Sequence, residues 1–544
     1  MRARTDTFIC ELPLRLAGDD ERVLAVRFEV ARQAYNACLA ESLRRLALLR
    51  QSRTYQDALA RPKGQRGSEN WKARAAAFQR AEEQVGFREY DLHAWAAAHL
   101  AHEWLGEHLD SLTLQKLATR AFRAVREYAV GKRGKPRFKG RHHLDSVEGK
   151  TNGSGIRWRD GVVEWRGLRL RAIIPADDPV IAYGLSCRVK YARLVRRRLN
   201  GKTRYFVQLI CEGRPYRKPE HPVGAGRVGI DPGPRVFGLA GLDWGAQVDL
   251  ATPLQRGRAE VRRLQRRIDR QRRANNPDNY RPDGRVRPGP RRWVVSHKQR
   301  QVQQELAEAQ RRAASHRCSL HGQLANALLQ LGDDLRIEQN SYRSFQRNFG
   351  RSVGLAGPAG FGSRLARKAA NAGARVRRLP ARLRLSQVCH GCGYVEKKPL
   401  AQRVHECACG VGPVQRDVYS AWLASLAVPV SDEAAAPSGA AEWRLDVDQA
   451  RKAWSGAEPR LPTTSSPVSV PAFTAWARQQ VARGRPSVAR LPAGGTEQLV
   501  GAVDARDDEA RNVVGVGHIR IHPGVADDRE SARVVRVATR TPLL

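Results

Sequence analysis

Residues 227–241 read RVGIDPGPRVFGLAG, and this stretch decides the fold of the second half of the chain. Its two short apolar runs are bounded by Gly and Pro, which is the pattern of two consecutive buried strands. Asp231 ends the first strand, and Gly233 allows a tight turn and a close approach by a phosphate backbone. The stretch predicts a carboxylate at the edge of a sheet, although a lone Asp in a strand–turn is equally compatible with a structural role.

Two more acids follow in a similar context. Glu338 lies in LRIEQNSY, at the end of another short apolar strand, and Asp417 lies in QRDVYSAWLAS, at the start of a predicted helix. Alone, Glu338 is equally typical of a solvated loop, and Asp417 of a helix N-cap. Their order and context together predict that the three acids converge in one domain.

Three converging carboxylates would repel one another and raise one another's pKa unless a cation neutralised them. Mg²⁺ (or Mn²⁺) prefers oxygen ligands and keeps positions open for phosphate and water. Two such ions about 3.5–4 Å apart stabilise both the attacking and the leaving oxygen of a phosphodiester displacement. We therefore predict Asp231, Glu338 and Asp417 as metal-binding catalytic residues.

A second metal site is predicted in residues 389–410, CHGCGYVEKKPLAQRVHECACG. Two closely spaced thiolate pairs suit a closed, structural Zn²⁺ site with four protein ligands, which the sequence offers as Cys389, Cys392, Cys407 and Cys409. The second pair is spaced CxC rather than CxxC, so His405 or His390 is an alternative ligand. A chance gathering of free cysteines is the other interpretation. The remaining five of the nine cysteines are scattered, which indicates a reducing compartment rather than a disulfide framework.

The rest of the chain predicts an α+β protein of several domains. Strand-like residues near 6–12 and 155–215 enclose helical patterns, so residues 1–220 are predicted to form a β-rich domain with helices inserted at about 18–135. Residues 225–428 are predicted to form an α/β domain that includes the zinc site at 386–412. Beyond 428 the Ala-, Pro- and Ser-rich composition predicts a largely disordered tail at 429–544, with one short helix near 472–483.

The formal net charge is +42 over 544 residues, which indicates a polyanionic partner. A ribosomal or histone-like packing protein would share that charge but would have no use for the acids and cysteines. No Walker-type, GxSxG or HExxH motif occurs, which argues against ATP-driven, serine-hydrolase and metalloprotease activities. No apolar run of about 18 residues and no secretory signal are present, so we expect a cytoplasmic, nucleoid-associated protein without a membrane partner.

The order DPG, IEQNSY, CxxC, CxC and RDVYSAWLA resembles the TnpB family of transposon-encoded proteins and its descendants, the type V CRISPR effectors. The pair Tyr35–Asn36 and the segment KPRFKG at 135–140 also look similar, and the resemblance covers about residues 5–425. It implies an N-terminal β-barrel with an inserted helical recognition lobe. An RNase H-like (RuvC) domain with an inserted zinc ribbon would follow.

The resemblance also implies a guide RNA and a double-stranded DNA target, with Asp231, Glu338 and Asp417 as the nuclease residues and Arg416 as their neighbour. Guide pairing would read the target, while the protein reads a short flanking motif and the backbone. Lys135, Arg137, Lys139 and Arg416 are candidate nucleic-acid contacts, although a solvated basic loop explains the first three nearly as well. The family's DRDxNAA pattern reads QRDVYSA here, with Gln415 and Tyr419 as the departures.

We therefore expect an RNA-guided, Mg²⁺-dependent DNA endonuclease. A guided DNA-binding protein that does not cut, and a transposase acting on the ends of its own element, are the alternatives. The sequence leaves the oligomeric state open, and it does not distinguish a TnpB protein from a compact CRISPR effector.

Overall fold

The computed structural model describes residues 6–101, 104–399, 401–430, 443–457, 461–464 and 466–482. Within that range the chain forms two compact units. The first contains residues 6–198 and 203–216, and the second contains residues 199–202 and 217–482.

The first unit is built on one seven-stranded sheet whose strand order is β2-β6-β7-β1-β5-β4-β3. Its strands are β1 (Thr7–Arg15), β2 (Ser146–Glu148), β3 (Arg157–Arg159), β4 (Val162–Trp165), β5 (Leu168–Ala172), β6 (Val189–Leu199) and β7 (Lys202–Glu212). In β5 the buried Leu168 and Leu170 alternate with exposed arginines, as expected of an antiparallel sheet with one face on a core. Closure of this sheet into a barrel stays a prediction.

Helices occupy the chain between β1 and β2, as the sequence predicted. They are α1 (Gly18–Gln51), α2 (Arg53–Ala60), α3 (Glu69–Gln84), α4 (Glu89–Leu100), α5 (Trp104–His108) and α6 (Ser111–Ala129); a further helix, α7 (Pro179–Ser186), precedes β6. Leu24, Phe28 and Ala31 recur at helical spacing in α1 and are fully buried. They join a core that also contains Leu12 of β1 and Trp165 of β4.

The second unit is built on a mixed six-stranded sheet of order β12-β11-β8-β9-β10-β17. Its strands are β8 (Arg227–Pro232), β9 (Val236–Ala240), β10 (Gly245–Asp249), β11 (Asp334–Glu338), β12 (Arg375–Leu379) and β17 (Val468–Ser469). The RVGIDPGPRVFGLAG stretch forms the β8–β9 hairpin, and a Cβ at Gly233 would lie 2.4 Å from the Val236 carbonyl oxygen. The predicted tight turn is therefore confirmed. β11 and β12 run parallel to β8.

Helices and two small ribbons complete the second unit. The helices are α8 (Arg256–Ala274), α9 (His297–Leu331), α10 (Tyr342–Ala356), α11 (Pro358–Ala372), α12 (Arg416–Leu426), α13 (Val447–Ala457) and α14 (Val470–Ala482). The ribbons pair β13 (Val404–His405) with β14 (Val414–Gln415), and β15 (Ala427–Pro429) with β16 (Trp443–Leu445). All of α12 except Asp417 is buried, so this short helix lies inside the unit.

The predicted domain boundary at 428 is wrong. β17 pairs with β10, and Phe473 and Trp476 of α14 pack on Trp244 at 6.1 and 5.4 Å between ring centroids. The predicted helix near 472–483 is confirmed as Val470–Ala482, but it belongs to the core of the second unit rather than to a tail. Residues 483–544 of the predicted tail lie outside the described residues.

The mixed α and β composition with several sheets agrees with the predicted fold class. None of the helices in the described ranges has the length and apolarity that crossing a bilayer requires.

Candidate active site and metal centre

Two of the predicted acids lie side by side because β8 and β11 are parallel neighbours. Asp231 is the fifth residue of β8 and Glu338 is the last residue of β11, with Ile230 and Ile337 paired one position earlier. The carboxyl ends of parallel strands meet at the same edge of a sheet, so the side chains of Asp231 and Glu338 lie next to each other at that edge. The carboxyl groups lie close enough for the charge of Glu338 to raise the pKa of Asp231.

The third acid is carried to the same edge by α12. A Cβ at Gly229 of β8 would lie 1.7 Å from the Ala421 carbonyl oxygen, and one at Gly238 of β9 would lie 2.1 Å from the Asp417 carbonyl oxygen. The helix backbone therefore rests directly on the sheet at these two glycines. Asp231 pairs with Gly238 across the β8–β9 ladder, so the start of α12 lies over Asp231.

The three acids lie close enough for their charges to shift one another's pKa. Burial, and then the charges of Glu338 and Asp417, raise the pKa of Asp231 well above its ordinary value. Burial also raises the pKa of Glu338, and Asp417 adds to that shift. Crowded, desolvated carboxyl groups have raised pKa values because their charged forms repel one another. A cation would offset that repulsion, so the cluster has the electrostatic character of a cation site.

Asp417 is held mainly by guanidinium groups. Its Oδ1 accepts from Arg416 at 3.3 Å, and its Oδ2 lies 3.6 Å from Nη1 of Arg403. Arg416 also donates to the Pro399 carbonyl oxygen at 3.1 Å, and its side chain is only 8% exposed. The predicted nucleic-acid contact through Arg416 stays a prediction. In this structure the residue positions Asp417.

The donor set fits a hard divalent cation. Asp231 and Glu338 offer carboxylate oxygens at one point, and the Ser420 hydroxyl next to Glu338 is buried without a geometrically formed hydrogen bond. Asp417 lies close enough to raise the pKa of both acids.

The four predicted zinc ligands do come together. The Sγ atoms of Cys389, Cys392, Cys407 and Cys409 all lie within 4.8 Å of one another. Cys389 and Cys409 are 3.5 Å apart, and Cys392 and Cys407 are 3.6 Å apart, measured between sulfurs. A tetrahedral site with Zn–S bonds of about 2.3 Å needs sulfurs about 3.8 Å apart, so the shortened CxC pair fits zinc.

Neither histidine is needed as a replacement ligand. Nδ1 of His390 lies 2.8 Å from the Tyr419 hydroxyl, and the His390 backbone N–H donates to the same oxygen at 3.0 Å. Nδ1 of His405 accepts from Lys398 at 2.7 Å, and its ring stacks on Tyr419 at 4.1 Å. Both imidazoles therefore connect the cysteine cluster to α12.

The predicted basic loop lies in the first unit and is hydrogen-bonded there to α1. The Asn36 amide accepts from the Lys139 backbone N–H at 2.8 Å and donates to its carbonyl oxygen at 2.9 Å. Lys135 and Arg137 are exposed, and Phe138 between the basic residues is 58% exposed. Their contact with nucleic acid stays a prediction.

Sequence reasoning missed several residues of the site. Gln415 caps α12, because its Oε1 accepts from the Val418 N–H at 2.8 Å, and its amide reaches Asp417 at 3.5 Å. Ser420 lies one turn after Asp417 and faces Glu338. Because Ser420 follows Asp417 by three residues on a predicted helix, the sequence could have indicated that the two side chains share one helix face. The spacing could not have indicated that Ser420 would lie beside Glu338 of β11.

No family model and no curated protein matches the chain. Several solved structures match the chain, and two of them are each 12% identical to it in sequence. The chain is similar to one in "Cryo-EM structure of the Cas12f1-sgRNA-target DNA complex", with a TM-score of 0.40, covering 77% of this chain and 99% of the other. It is similar to one in "Cryo-EM structure of CRISPR-Cas12f Ternary Complex", with a TM-score of 0.26, covering 74% and 82%. At these values the likenesses assign neither a family nor an activity to the chain.

Proposed function

We propose that the chain is an RNA-guided, divalent-metal-dependent DNA endonuclease. The observation that carries the proposal is the meeting of Asp231, Glu338 and Asp417 at one edge of the β8–β11 sheet. The acids are far apart in sequence, and burying them together costs free energy that a purely structural role does not recover. Mutual repulsion among carboxyl groups is typical of sites that bind cations and act on phosphates.

The divalent ions, when bound, would activate water and neutralise charge on the scissile phosphate. Asp231, Glu338 and Asp417 would hold them. Hydrolysis consumes one water for each bond cut: the water oxygen joins phosphorus, the P–O bond to the leaving oxygen breaks, and that oxygen takes a proton. Arg416, next to Asp417, would pair with a phosphate oxygen, because its planar fork suits that geometry.

Guidance by RNA is supported by the sequence resemblance to TnpB proteins and by the net charge of +42, which exceeds what a small DNA contact requires. The cysteine cluster would be a structural zinc site. Its four ligands would leave no open position for catalysis.

The test combines RNA recovery with cleavage. The full chain is expressed with its native flanking DNA, the RNA that copurifies is sequenced, and plasmid cleavage is measured with Mg²⁺ or with a chelator. We expect a discrete RNA and guided, Mg²⁺-dependent cutting that Asp231→Ala and Glu338→Ala abolish. Asp57→Ala is the matched control, because Asp57 is exposed in α2 and makes no ion pair among the described residues. Absence of any specific RNA would overturn the proposal.

One observation favours the guided-binding alternative. Asp417 is paired with Arg416 at 3.3 Å, so its carboxylate already has a cationic partner that would compete with a metal ion. Target binding without cutting, in wild type and variants alike, would establish that alternative. Metal-dependent cutting at the ends of an element without any RNA would instead establish a transposase.

A further inference from the structure

The second unit contains an arginine-rich arm, residues 256–296, which comprises α8 and the loop that joins it to α9. The arm contains fourteen arginines and four acidic residues. α8 packs along α9, and Leu264 on that side of the helix is buried. The rest of the helix surface carries a set of exposed arginines: Arg262, Arg263, Arg266, Arg267 and Arg270.

These five arginines have no acidic partner within the chain as far as the structure describes it. Asp269 is the acid on the same stretch of α8, and it pairs with Arg273 at 2.9 Å. Arg262, Arg266 and Arg270 follow one another at intervals of four residues, which is about 6 Å along the helix axis. Like charges at this spacing destabilise a helix, so a bound polyanion would stabilise α8.

The loop after α8 is held by asparagine side chains. The buried Asn276 amide accepts from the Val294 backbone N–H at 2.6 Å and donates to the Val294 carbonyl oxygen at 2.9 Å. The Asn279 amide donates to the Arg292 carbonyl oxygen at 2.8 Å. These contacts fix the loop backbone, and the loop therefore presents further exposed arginines from a defined framework: Arg281, Arg287 and Arg292.

The two aromatic residues of the arm are already stacked on guanidinium groups. The Arg272 guanidinium lies 3.8 Å from the ring centroid of Trp293, and that of Arg273 lies 4.8 Å from the centroid of Tyr280. Proteins that hold single strands use open aromatic faces on which unpaired bases stack. With one face of each ring covered, the arm offers fixed cations in place of stacking platforms, which suits the backbone of a double helix.

We propose that the arginine-rich arm binds the phosphate backbone of double-helical RNA. Guanidinium groups pair with phosphate oxygens through charge-assisted hydrogen bonds, and each pairing releases counterions from the RNA. The choice of RNA rests on the proposed function. Charges that have no partner in the chain require one that stays bound, and a guide RNA stays bound whereas target DNA binds only during a reaction. The contact itself depends neither on the acidic cluster nor on cutting.

The first measurement is the salt dependence of binding to a short RNA duplex, with the full chain freed of nucleic acid and without divalent cations. Each phosphate contact contributes about 0.7–0.9 to the slope of log affinity against log salt concentration. A variant that combines Arg262→Gln, Arg266→Gln and Arg270→Gln should therefore lower that slope by about two to three. Glutamine has nearly the helix propensity of arginine, so circular dichroism should show unchanged helix content.

The matched control removes the same charge from exposed arginines that already pair with acidic side chains. It combines Arg22→Gln, Arg88→Gln and Arg188→Gln, whose partners include Asp19, Asp91 and Glu212. Its slope should equal that of wild type. A folded arm variant with the wild-type slope would overturn the proposal, and so would a control variant that loses as much slope as the arm variant.

The second measurement is the rate at which a dicarbonyl reagent modifies arginine side chains, read by peptide mass spectrometry. We expect the RNA duplex to slow modification of Arg266 and Arg270 at least threefold and to leave Arg22 unaffected. Both measurements are repeated with a DNA duplex of equal length. A response to RNA supports the proposal with or without a response to DNA, because both backbones carry phosphates, and a response to DNA alone overturns it.

The two proposals fail in different experiments. Absence of a copurifying RNA would contradict the proposed function, but it would leave the salt slope and the modification rates interpretable, because both use an added duplex. An arm that responds to no RNA duplex would contradict the present proposal, even in a chain that copurifies with a guide RNA and cuts DNA.

Discussion

Gly229 and Gly238 carry no chemistry, yet they determine where Asp417 lies. A Cβ at Gly229 would come within 1.7 Å of the Ala421 carbonyl oxygen and 2.8 Å of the Ser425 nitrogen, both backbone atoms of α12. We predict that Gly229→Ala lowers the free energy of unfolding by about 3 kcal/mol, because the helix must lift from the sheet. Urea unfolding followed by tryptophan fluorescence measures the change.

Gly322→Ala is the control for that substitution. Gly322 lies in the interior of α9, and a Cβ there would have no atom within 4 Å. Alanine should therefore stabilise the helix by up to about 1 kcal/mol. Equal urea midpoints for Gly229→Ala and wild type would show that α12 does not rest on β8.

His321 makes the stability of the second unit depend on pH. Burial lowers its pKa from 6.5 to about 4, while a hydrogen bond from Nε2 to the Ala356 carbonyl oxygen, at 2.8 Å, opposes the shift. Between those values the unfolded chain takes up a proton that the folded chain does not, so stability falls as pH falls from 6.5 to 4. At about 1.4 kcal/mol per pKa unit, the loss reaches about 3 kcal/mol at pH 4.

The comparison for His321 is with His321→Gln, which keeps a donor for the same carbonyl oxygen but does not titrate. Urea unfolding at pH 7.5, 6, 5 and 4 should show wild type losing about 3 kcal/mol relative to the variant. Parallel curves for the two proteins would mean that His321 titrates in the folded protein as it does in the unfolded chain.

At the scale of single residues, the sequence predicts the side chains that bind metal ions, but not the residues that place them. Asp231, Glu338 and the four cysteines were predicted because their residue types and local context indicate cation binding. Gly229, Gly238 and Ser420 were not assigned roles in the site, because each acts on a backbone or carboxylate far away in sequence. No local pattern encodes those long-range approaches.

Among the elements, α12 is the one that both candidate metal sites share. Asp417 and Ser420 face the acidic cluster, while Tyr419 faces the histidines of the cysteine cluster. Tyr419 stands where the TnpB pattern has Asn, and its hydroxyl satisfies the buried His390 backbone N–H. The tyrosine at this position therefore has a local physical reason in this structure.

We predict that Tyr419→Phe lowers the free energy of unfolding by about 1–3 kcal/mol, because it leaves the His390 N–H unsatisfied. The same change should speed the release of zinc to a chelator, monitored with a colorimetric zinc indicator. Purified wild type should contain about one zinc per chain, as expected of a closed four-ligand site.

Cysteine variants separate the cluster from the other thiols. Cys407→Ser should lose the zinc, whereas Cys318→Ser, on α9 outside the cluster, should retain it. Zinc retained in Cys407→Ser would point to a ligand other than this cysteine, with His405 the first candidate.

Element prediction succeeded where apolar runs are short and clearly bounded. The strands β8 to β11 and the basic helix α8 lie close to the predicted positions, because Gly and Pro mark their ends. β16, α13 and β17 were missed, because their Ala-, Pro- and Ser-rich surroundings have the composition of a disordered segment. Their order comes from packing against distant strands, which composition does not report.

At the scale of the whole molecule, the C-terminal boundary is the largest correction to the sequence analysis. Trp443, Phe473 and Trp476 are buried in the second unit, and the Gln415 backbone N–H donates to the Pro462 carbonyl oxygen at 2.8 Å. The segment after 428 therefore contributes to the core, and it also contacts the residue that caps α12. A chain that ends at 428 would expose the surfaces that these residues cover.

We predict that a chain of residues 1–428 is much less stable than one of residues 1–482. Each large apolar side chain buried after 428 contributes about 2 kcal/mol, and losing several of them approaches the 5–15 kcal/mol by which a typical domain is stable. Circular dichroism and size-exclusion chromatography of the two proteins make the comparison. The shorter chain should aggregate or lose its cooperative thermal transition, and the longer one should keep it. A monomeric 1–428 chain that melts at the same temperature as 1–482 would show that β17 and α14 only cover the unit and do not hold it together.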